Sequence, residues 1–182
     1  MARAPVQKSV FDEPPRKQVL LLSCMDVRLL DNTVGFMNRL NLQNRYDQAI
    51  FAGAAMGARL LTSTPDTKEP ALPWKTVFFD HLAAAINLLH RDIKDIFLLE
   101  HLDCGAYKYL HPDSKVREEY SKARDVSKLE KFHRAEARHF AREVKDFCEN
   151  QRKNASRASG DAWKDIRVRC LLMDLTGCVT DL

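Results

Sequence analysis

Long hydrophobic runs are missing from this chain of 182 residues, although 45% of its residues are hydrophobic. No apolar segment approaches the roughly 20 residues that a helix needs to cross a bilayer, so we expect no transmembrane helix. The first 18 residues carry basic side chains without an apolar stretch behind them, which argues against a secretory signal. These absences predict a cytoplasmic protein without a membrane partner.

An excess of one charge is also missing. The 29 basic and 25 acidic residues are interspersed and give a net charge of +4. Because no stripe of basic and aromatic residues and no known nucleic-acid motif occurs, we expect no nucleic-acid partner. The small-residue segment 53–58 lacks the Gly-Lys-Ser/Thr ending of a phosphate loop, and nothing indicates an organic cofactor. That segment fits a close backbone approach or the tightly packed start of a helix.

We expect no disulfide framework, because the number of cysteines, five, is odd and the sequence indicates an intracellular protein. Cys24 and Cys104 each follow a strand-like run and lie at the mouth of a loop. Cys148, Cys170 and Cys178 fall in apolar or amphipathic settings, where we expect ordinary buried or half-buried thiols.

Strand-like and helix-like segments alternate along the chain. The apolar runs of strand length are 19–23, 49–52, 95–100 and 166–174, with a short edge strand after Gly177. This alternation predicts an α/β protein of three layers, α/β/α, on a mostly parallel central sheet of four to five strands. We expect a single domain over 1–182, with an N-terminal arm at 1–18 and a helical surface segment at 115–154.

Several local expectations accompany this fold. Asp31 or Asn32 is predicted to cap a helix that continues to residue 45. Residues 74–91 and 115–154 show helical periodicity, the latter as one helix or two, while 62–73 and 154–160 read as a loop and a polar turn. His81 is predicted to be a core or interface residue on one apolar face of the first helix, together with Leu88 and Leu89. His133 and His139 are predicted to be packing or surface residues.

Two short motifs end two of the predicted strands. Cys24, Asp26 and Arg28 follow the first strand, and His101 and Cys104 follow the third. Functional groups collect where the strands of a parallel sheet end, so adjacent strands would bring these side chains together. Thiolate and imidazole are zinc ligands, and three of them leave a fourth position for water or substrate. We therefore predict a mononuclear zinc site, the alternative being two core cysteines and a surface histidine.

The segments CMDVR at 24–28 and HLDCGA at 101–106 resemble the two signature motifs of the β-class carbonic anhydrases. The resemblance extends through most of 19–110 and to the closing segment LLMDLTGCVTDL, whereas 111–160 matches only in helical character. It implies that Cys24, His101 and Cys104 bind zinc, Zn2+, and that Asp26 and Arg28 form the catalytic dyad of a zinc lyase.

The resemblance implies reversible hydration of carbon dioxide to bicarbonate by zinc-bound hydroxide. Two thiolates cancel the charge of the metal, so the bound water needs help in losing its proton. Asp26 would accept a hydrogen bond from that water, and Arg28 would keep Asp26 ionised and in place. The family also has a closed form, favoured at lower pH, which implies that Asp26 can become a fourth zinc ligand.

This sequence departs from the family pattern at two places. Glu100 stands where the family commonly has glycine, and Ile50 and Phe51 stand where it often has Arg-Asn. A less polar pocket wall also suits hydrolysis of carbonyl sulfide or carbon disulfide on the same scaffold. A third alternative is a non-catalytic, zinc-binding regulatory module, against which the Asp-Arg pair argues. The resemblance and the apolar helix stripes imply a homodimer or a dimer-based homo-oligomer.

Overall fold

The structure, a computed structural model, describes residues 18–61 and 73–182. The five strands are β1 (Gln18–Ser23), β2 (Tyr46–Ile50), β3 (Ile93–His101), β4 (Arg167–Met173) and β5 (Val179–Asp181). The seven helices in the described residues are α1 (Leu30–Arg39), α2 (Ala54–Leu60), α3 (Trp74–Ala83), α4 (Gly105–Tyr109), α5 (Ser114–Lys122), α6 (Val126–Asn154) and α7 (Arg157–Ala162). A 3-10 turn at Val27–Leu29 precedes α1, and a π-helical turn at Ala84–Leu88 extends α3.

The strands form one sheet in the order β2-β1-β3-β4-β5, and only β5 runs antiparallel to its neighbour. In the two central strands, Ser23 of β1 pairs with Leu99 of β3. The carboxyl ends of β1 and β3 therefore reach the same edge of the sheet, side by side. This is the arrangement that the two motifs required.

Alternate residues of the central strands face two separate cores. Leu20 and Leu22 of β1 pack toward α2, α3 and α6, together with Phe78 and Phe140. On the opposite face, Leu21 packs with residues of α1 and the segment after it. Strands buried on both faces read as continuous apolar runs, which is why β1 and β3 were recognisable in the sequence. The predicted three layers on a mostly parallel sheet are confirmed, whereas the single domain remains a prediction.

The charged segment 115–154 forms two helices, which is one of the two alternatives predicted from the sequence. Asp113 accepts a hydrogen bond from the backbone N–H of Lys115 at the start of α5, and Asp125 accepts one from Ser127 at the start of α6. Such caps satisfy backbone donors that have no partner within the helix. Helix α6 then packs against α2 and against β3 and β4 of the sheet.

Three boundaries differ from the predictions. Helix α1 begins at Leu30 without a side-chain cap, so Asp31 lies in its first turn, and it ends at Arg39 rather than residue 45. Strand β2 lies earlier than predicted because it is a half-buried edge strand in which the polar residues Asp47 and Gln48 interrupt the apolar pattern. The predicted turn at 154–160 is wrong beyond residue 156, where α7 begins.

Several side-chain predictions are corrected as well. His81 is exposed, so its core alternative is wrong and its interface alternative stays a prediction. Leu88 and Leu89 of the same predicted apolar face are 74% and 63% exposed. The predicted apolar face does not continue to Leu88 and Leu89, because the π-helical turn at Ala84–Leu88 rotates these last residues outward. Cys178 is exposed on the turn before β5, whereas Cys148 is buried and Cys170 half-buried as predicted.

The predicted N-terminal arm at 1–18 and the loop at 62–73 lie outside the described residues, except for Gln18 and Pro73 at their ends. Within the described part of the chain, no helix combines the length and apolar character needed to cross a membrane.

Candidate metal centre

The ends of β1 and β3 bring three metal-ligand side chains together. The Sγ atoms of Cys24 and Cys104 lie 3.8 Å apart, and a ligand atom of His101 completes a cluster whose members lie within 4.8 Å of one another. Cys104 and His101 are buried, and Cys24 is half-buried. The sequence prediction that adjacent strands would assemble these three residues is confirmed.

The orientation of His101 leaves one ring nitrogen for a ligand. Its Nδ1 lies 2.8 Å from the carbonyl oxygen of Leu102, which can only accept, so Nδ1 carries the proton. The buried Nε2 has no hydrogen-bond partner among the described residues. A buried polar atom without a partner is costly, and a metal ion bound there would satisfy it. Together with two convergent sulfurs, this donor set fits zinc.

Small residues allow the backbone to approach Cys24. Gly53 has a φ of +78°, and its N–H donates to Cys24 Sγ at 3.2 Å. A Cβ on Gly57 would lie 1.9 Å from the carbonyl oxygen of Ala52, so the first turn of α2 needs glycine there. The segment 53–58 is therefore both the tightly packed start of a helix and a close backbone approach to the site.

The two cysteines differ in their acidity. The hydrogen bond from Cys104 lowers the pKa of Cys24, and the contacts with His101 and the Gly53 N–H act in the same direction. The hydrogen bond to Cys24 and burial raise the pKa of Cys104. For His101, burial lowers the pKa, but the neighbouring sulfur of Cys24 and its charge outweigh burial and raise the pKa overall. A cation is therefore favoured at the point where these groups converge.

Asp26 and Arg28 form an ion pair at the entrance to the cluster. The Arg28 hydrogen bonds lower the pKa of Asp26 to about 2, and the carboxylate likewise raises the pKa of Arg28. Asp26 Oδ2 also lies 3.7 Å from His101 Nε2. The arrangement places an ionised acceptor next to the metal-ligand cluster.

Asp103 joins this ion pair, which the sequence analysis did not anticipate. Its carboxylate accepts from Arg28 Nη1 at 3.0 Å and from Lys108, and its carbonyl accepts from Arg28 Nη2 at 3.2 Å. Its own φ of 59° is in the left-handed region, which asparagine and aspartate tolerate best among non-glycine residues. Arg28 thus ties the loop after β1 to the loop after β3.

A cleft of about 230 Å³ opens beside Cys24 and Asp26. Its walls are mostly apolar: Met25, Val27, Leu29, Leu30 and Ile50. Ile50 lies in this wall, in agreement with the less polar pocket expected from the sequence. The cleft is large enough only for a small molecule and offers it an apolar surface.

Four buried polar residues near the cluster were missed as an interacting group: Glu100, Tyr107, Tyr120 and His133. Glu100 lies within a strand that is buried on both faces, where an acidic side chain needs partners. That was the only signal in the sequence, since His133 was predicted to be a packing or surface residue and no pattern singles out the tyrosines.

These features define an α/β protein with a Cys-His-Cys cluster of metal-ligand type at the carboxyl edge of a parallel sheet. No family model matches the chain. Two curated relatives are uncharacterized proteins of Rickettsia bellii, 31% identical over 97 residues, and Rickettsia conorii, 32% identical over 123 residues. The matched regions cover 53% and 62% of this chain, and they span 53% and 60% of the relatives.

In fold, the chain is similar to solved β-carbonic anhydrases. Its identity with CafA of Aspergillus fumigatus is 14%, over 92% of this chain and 76% of that one, with a TM-score of 0.44. A carbonic anhydrase of Streptococcus mutans is 19% identical over 92% and 82%, with a TM-score of 0.45. A carbon disulfide hydrolase is 14% identical over 92% and 79%, with a TM-score of 0.42. At these identities, the likeness concerns the fold alone.

Proposed function

We propose that this protein is a zinc-dependent carbonic anhydrase, a lyase that hydrates carbon dioxide reversibly to bicarbonate. The observation that carries the proposal is the convergence of Cys24, His101 and Cys104 beside an ionised Asp26 that is held by Arg28. A structural metal site has no need of a proton-handling pair. Retention of that pair therefore favours a catalytic site over a regulatory zinc-binding module.

In this proposal, each residue has a distinct task. Cys24, His101 and Cys104 would hold zinc, whose Lewis acidity activates water. The Gly53 N–H stabilises the Cys24 thiolate by donating to it. Asp26 accepts a hydrogen bond from the attacking water and orients it, because its low pKa keeps it ionised. The role of Asp26 as a fourth ligand in a closed form stays a prediction.

Arg28 supports this chemistry indirectly. Its guanidinium binds both oxygens of Asp26 and so fixes the direction in which the carboxylate accepts. The apolar cleft favours entry of a small, linear and uncharged molecule over entry of an ion. Bicarbonate would form at the polar end of the cleft. The contrast between the apolar wall and the polar edge supports this substrate class.

The same apolar cleft favours one alternative substrate class. Carbonyl sulfide and carbon disulfide are also linear and uncharged. They need no polar partner in the cleft, so the apolar wall around Ile50 suits them. An attacking water at the same edge would release sulfide from either molecule. Hydrolysis of these sulfur compounds is therefore the second candidate function.

We also infer that the protein acts as a homodimer or dimer-based homo-oligomer in the cytoplasm. Four large apolar side chains around the cleft are exposed on the single chain: Met25 (64%), Val27 (90%), Leu30 (56%) and Ile50 (46%). Apolar side chains that cluster in this way mark contact surfaces. All five cysteines are free, which fits a reducing compartment.

The test is to measure zinc content and activity on one preparation. Stoichiometric zinc with rapid hydration of carbon dioxide and little sulfide release would support the lyase. Sulfide release from carbonyl sulfide or carbon disulfide, with negligible carbon dioxide hydration, would support the alternative. Stoichiometric zinc without either activity would contradict both and leave the regulatory module.

A further inference from the structure

Glu100 is a buried carboxylate immediately before His101, and it is surrounded by hydrogen-bond donors. Its side chain is 1% exposed, and Oε1 accepts from the backbone N–H of Ala55 at 2.8 Å. Its Oε2 accepts from the Tyr107 hydroxyl at 3.1 Å and lies 2.9 Å from His133 Nδ1. Burying such a group is expensive unless every oxygen is satisfied, and here both are.

The hydrogen bonds continue from this carboxylate to the metal-ligand cluster. The other ring nitrogen of His133, Nε2, lies 2.8 Å from the Tyr120 hydroxyl. The Tyr120 oxygen in turn accepts from the backbone N–H of Cys104 at 3.0 Å. A single buried line of contacts therefore joins Glu100 to the backbone of a predicted zinc ligand.

One assignment of protons satisfies every group in this line. The Glu100 carboxylate accepts a hydrogen bond from Nδ1–H of His133, which leaves Nε2 as an acceptor for the Tyr120 hydroxyl. The hydroxyl proton then points away from Cys104, and the oxygen lone pairs face its N–H. Glu100 thus sets the tautomer of His133, and the tautomer sets the direction in which Tyr120 can accept.

We propose that Tyr120, His133 and Glu100 are positioning residues that fix Cys104 for metal binding. This inference rests on the zinc site of the proposed function and assigns new residues to it. Tyr120 lies on α5 and His133 on α6, so the line anchors the Cys104 loop to the helical layer. Without the anchor, the Cys104 sulfur would move relative to Cys24 and His101.

The Cys104 loop needs such an anchor because its conformation is strained. Asp103, directly before Cys104, has a φ of 59°, in the left-handed region that even aspartate adopts less readily than glycine. Arg28 and Lys108 hold Asp103 from the outside, and Tyr120 holds Cys104 from the inside. The loop is therefore fixed on both sides of the ligand.

The deciding variant is Tyr120→Phe, which removes one buried oxygen and keeps the ring. We expect the zinc dissociation constant to rise about 10-fold to 100-fold, the usual loss when an outer partner of a ligand is removed. Competition with a chromophoric chelator measures it. Tyr109→Phe is the matched control, because Tyr109 is 74% exposed and near in sequence to Cys104, and its affinity should not change.

A spectroscopic measurement separates positioning from general stability. In cobalt-substituted protein, the thiolate-to-cobalt charge-transfer bands and the visible d–d bands report the ligand geometry. We expect both to shift in Tyr120→Phe and to stay unchanged in Tyr109→Phe. A loss of thermal stability in the metal-free protein, with unchanged bands and affinity, would overturn the inference.

Glu100→Gln tests the far end of the line. Glutamine has one acceptor oxygen, so it cannot take the donors from Ala55, Tyr107 and His133 together. If the line acts as a unit, the double variant with Tyr120→Phe loses no more affinity than the weaker-binding single variant. If the affinity losses of the two single variants multiply in the double variant, the residues do not act as a unit. Should Glu100→Gln fail to fold, Tyr120→Phe alone decides.

The outcomes also distinguish this inference from the proposed function. Wild-type protein that takes up neither zinc nor cobalt would contradict the metal site itself. Wild-type protein that binds metal, beside a Tyr120→Phe variant with equal affinity and identical cobalt bands, would overturn the positioning role alone.

Discussion

Arg28 binds the carboxylate of Asp26 through two parallel hydrogen bonds, Nε to Oδ1 at 2.9 Å and Nη2 to Oδ2 at 2.7 Å. The backbone N–H of Arg28 adds a third contact to Oδ1 at 3.0 Å. Asp26 is also the N-cap of the 3-10 turn at Val27–Leu29, so its position follows from the local chain. The Cys-x-Asp-x-Arg spacing thus builds a rigid ion pair within five residues.

Replacing Arg28 by lysine should weaken this pair without removing the charge. Lysine cannot bind both carboxylate oxygens in one plane, so we expect the pKa of Asp26 to rise from about 2 toward its ordinary 3.8. Carbon dioxide hydration should fall about 10-fold, because Asp26 loses its fixed direction. NMR titration of the carboxyl carbon measures the pKa. An unchanged pKa and rate would show that the paired geometry has no role.

Removing the metal should destabilise the protein. A ligand that binds only the folded state, at a free concentration 1,000 times its dissociation constant, stabilises by about 4 kcal/mol. For a chain of this size, we expect a chelator to lower the Tm of zinc-loaded protein by about 10 °C. Calorimetry of wild type and Cys24→Ser checks this, since the variant should melt equally with and without chelator. A wild-type Tm that is the same with and without chelator would contradict a metal site.

The Asp26 ion pair should make stability depend on pH in acid. Its pKa is lower in the folded state than in the unfolded chain, so its contribution is present above about pH 4 and is lost as the pH falls through about 2. Water at the cleft mouth screens the pair, and we expect about 1 kcal/mol. Urea unfolding of metal-free wild type and Asp26→Asn measures it, with Asp31→Asn as the charge control.

The Asp26→Asn and wild-type stabilities should converge as the solution is acidified, since protonated Asp26 is as neutral as asparagine. A stability difference that stays constant from about pH 5 to about pH 2 would contradict the assignment of the low pKa to Asp26.

The remaining cysteines should react with an alkylating reagent in the order of their exposure. At about pH 8, Cys178 should react first because it is exposed. Burial raises the pKa of Cys148 to about 12 and that of Cys170 to about 11, so both should react slowly until the protein unfolds. Mass spectrometry after short exposure gives the order. Rapid modification of Cys148 in the folded protein would contradict its burial.

Zinc should protect Cys24 from the same reagent. In metal-free protein its lowered pKa and partial exposure make it reactive, whereas bound metal would occupy the sulfur. Equal rates of Cys24 alkylation in zinc-loaded and metal-free protein would contradict its role as a ligand.

The sequence predicts the central strands well and the edge strand poorly, for one physical reason. The central β1 is covered by helices on both faces and is therefore apolar at nearly every position. The edge strand β2 is only half-buried and carries Asp47 and Gln48, so its polarity conceals it. The ends of α1 and the start of α7 depend on backbone contacts that hydrophobic periodicity does not encode.

The candidate site was predictable where its residues are close in sequence. Cys24, Asp26 and Arg28 form one short motif, and His101 and Cys104 form another. The contribution of Tyr120 and His133 depends on how α5 and α6 pack over the sheet, which short motifs cannot specify. Glu100 was noticed as a departure from the family pattern, but its partners became evident only from the packing.

The central claim is that Asp26 assists water activation at a zinc site formed by Cys24, His101 and Cys104. The most direct measurement is stopped-flow carbon dioxide hydration by zinc-loaded wild type and Asp26→Asn, with zinc content determined on each sample. We predict stoichiometric zinc in both proteins and a rate at least about 100-fold lower in the variant. Equal rates, or a wild type that binds zinc and leaves carbon dioxide unhydrated, would contradict the claim.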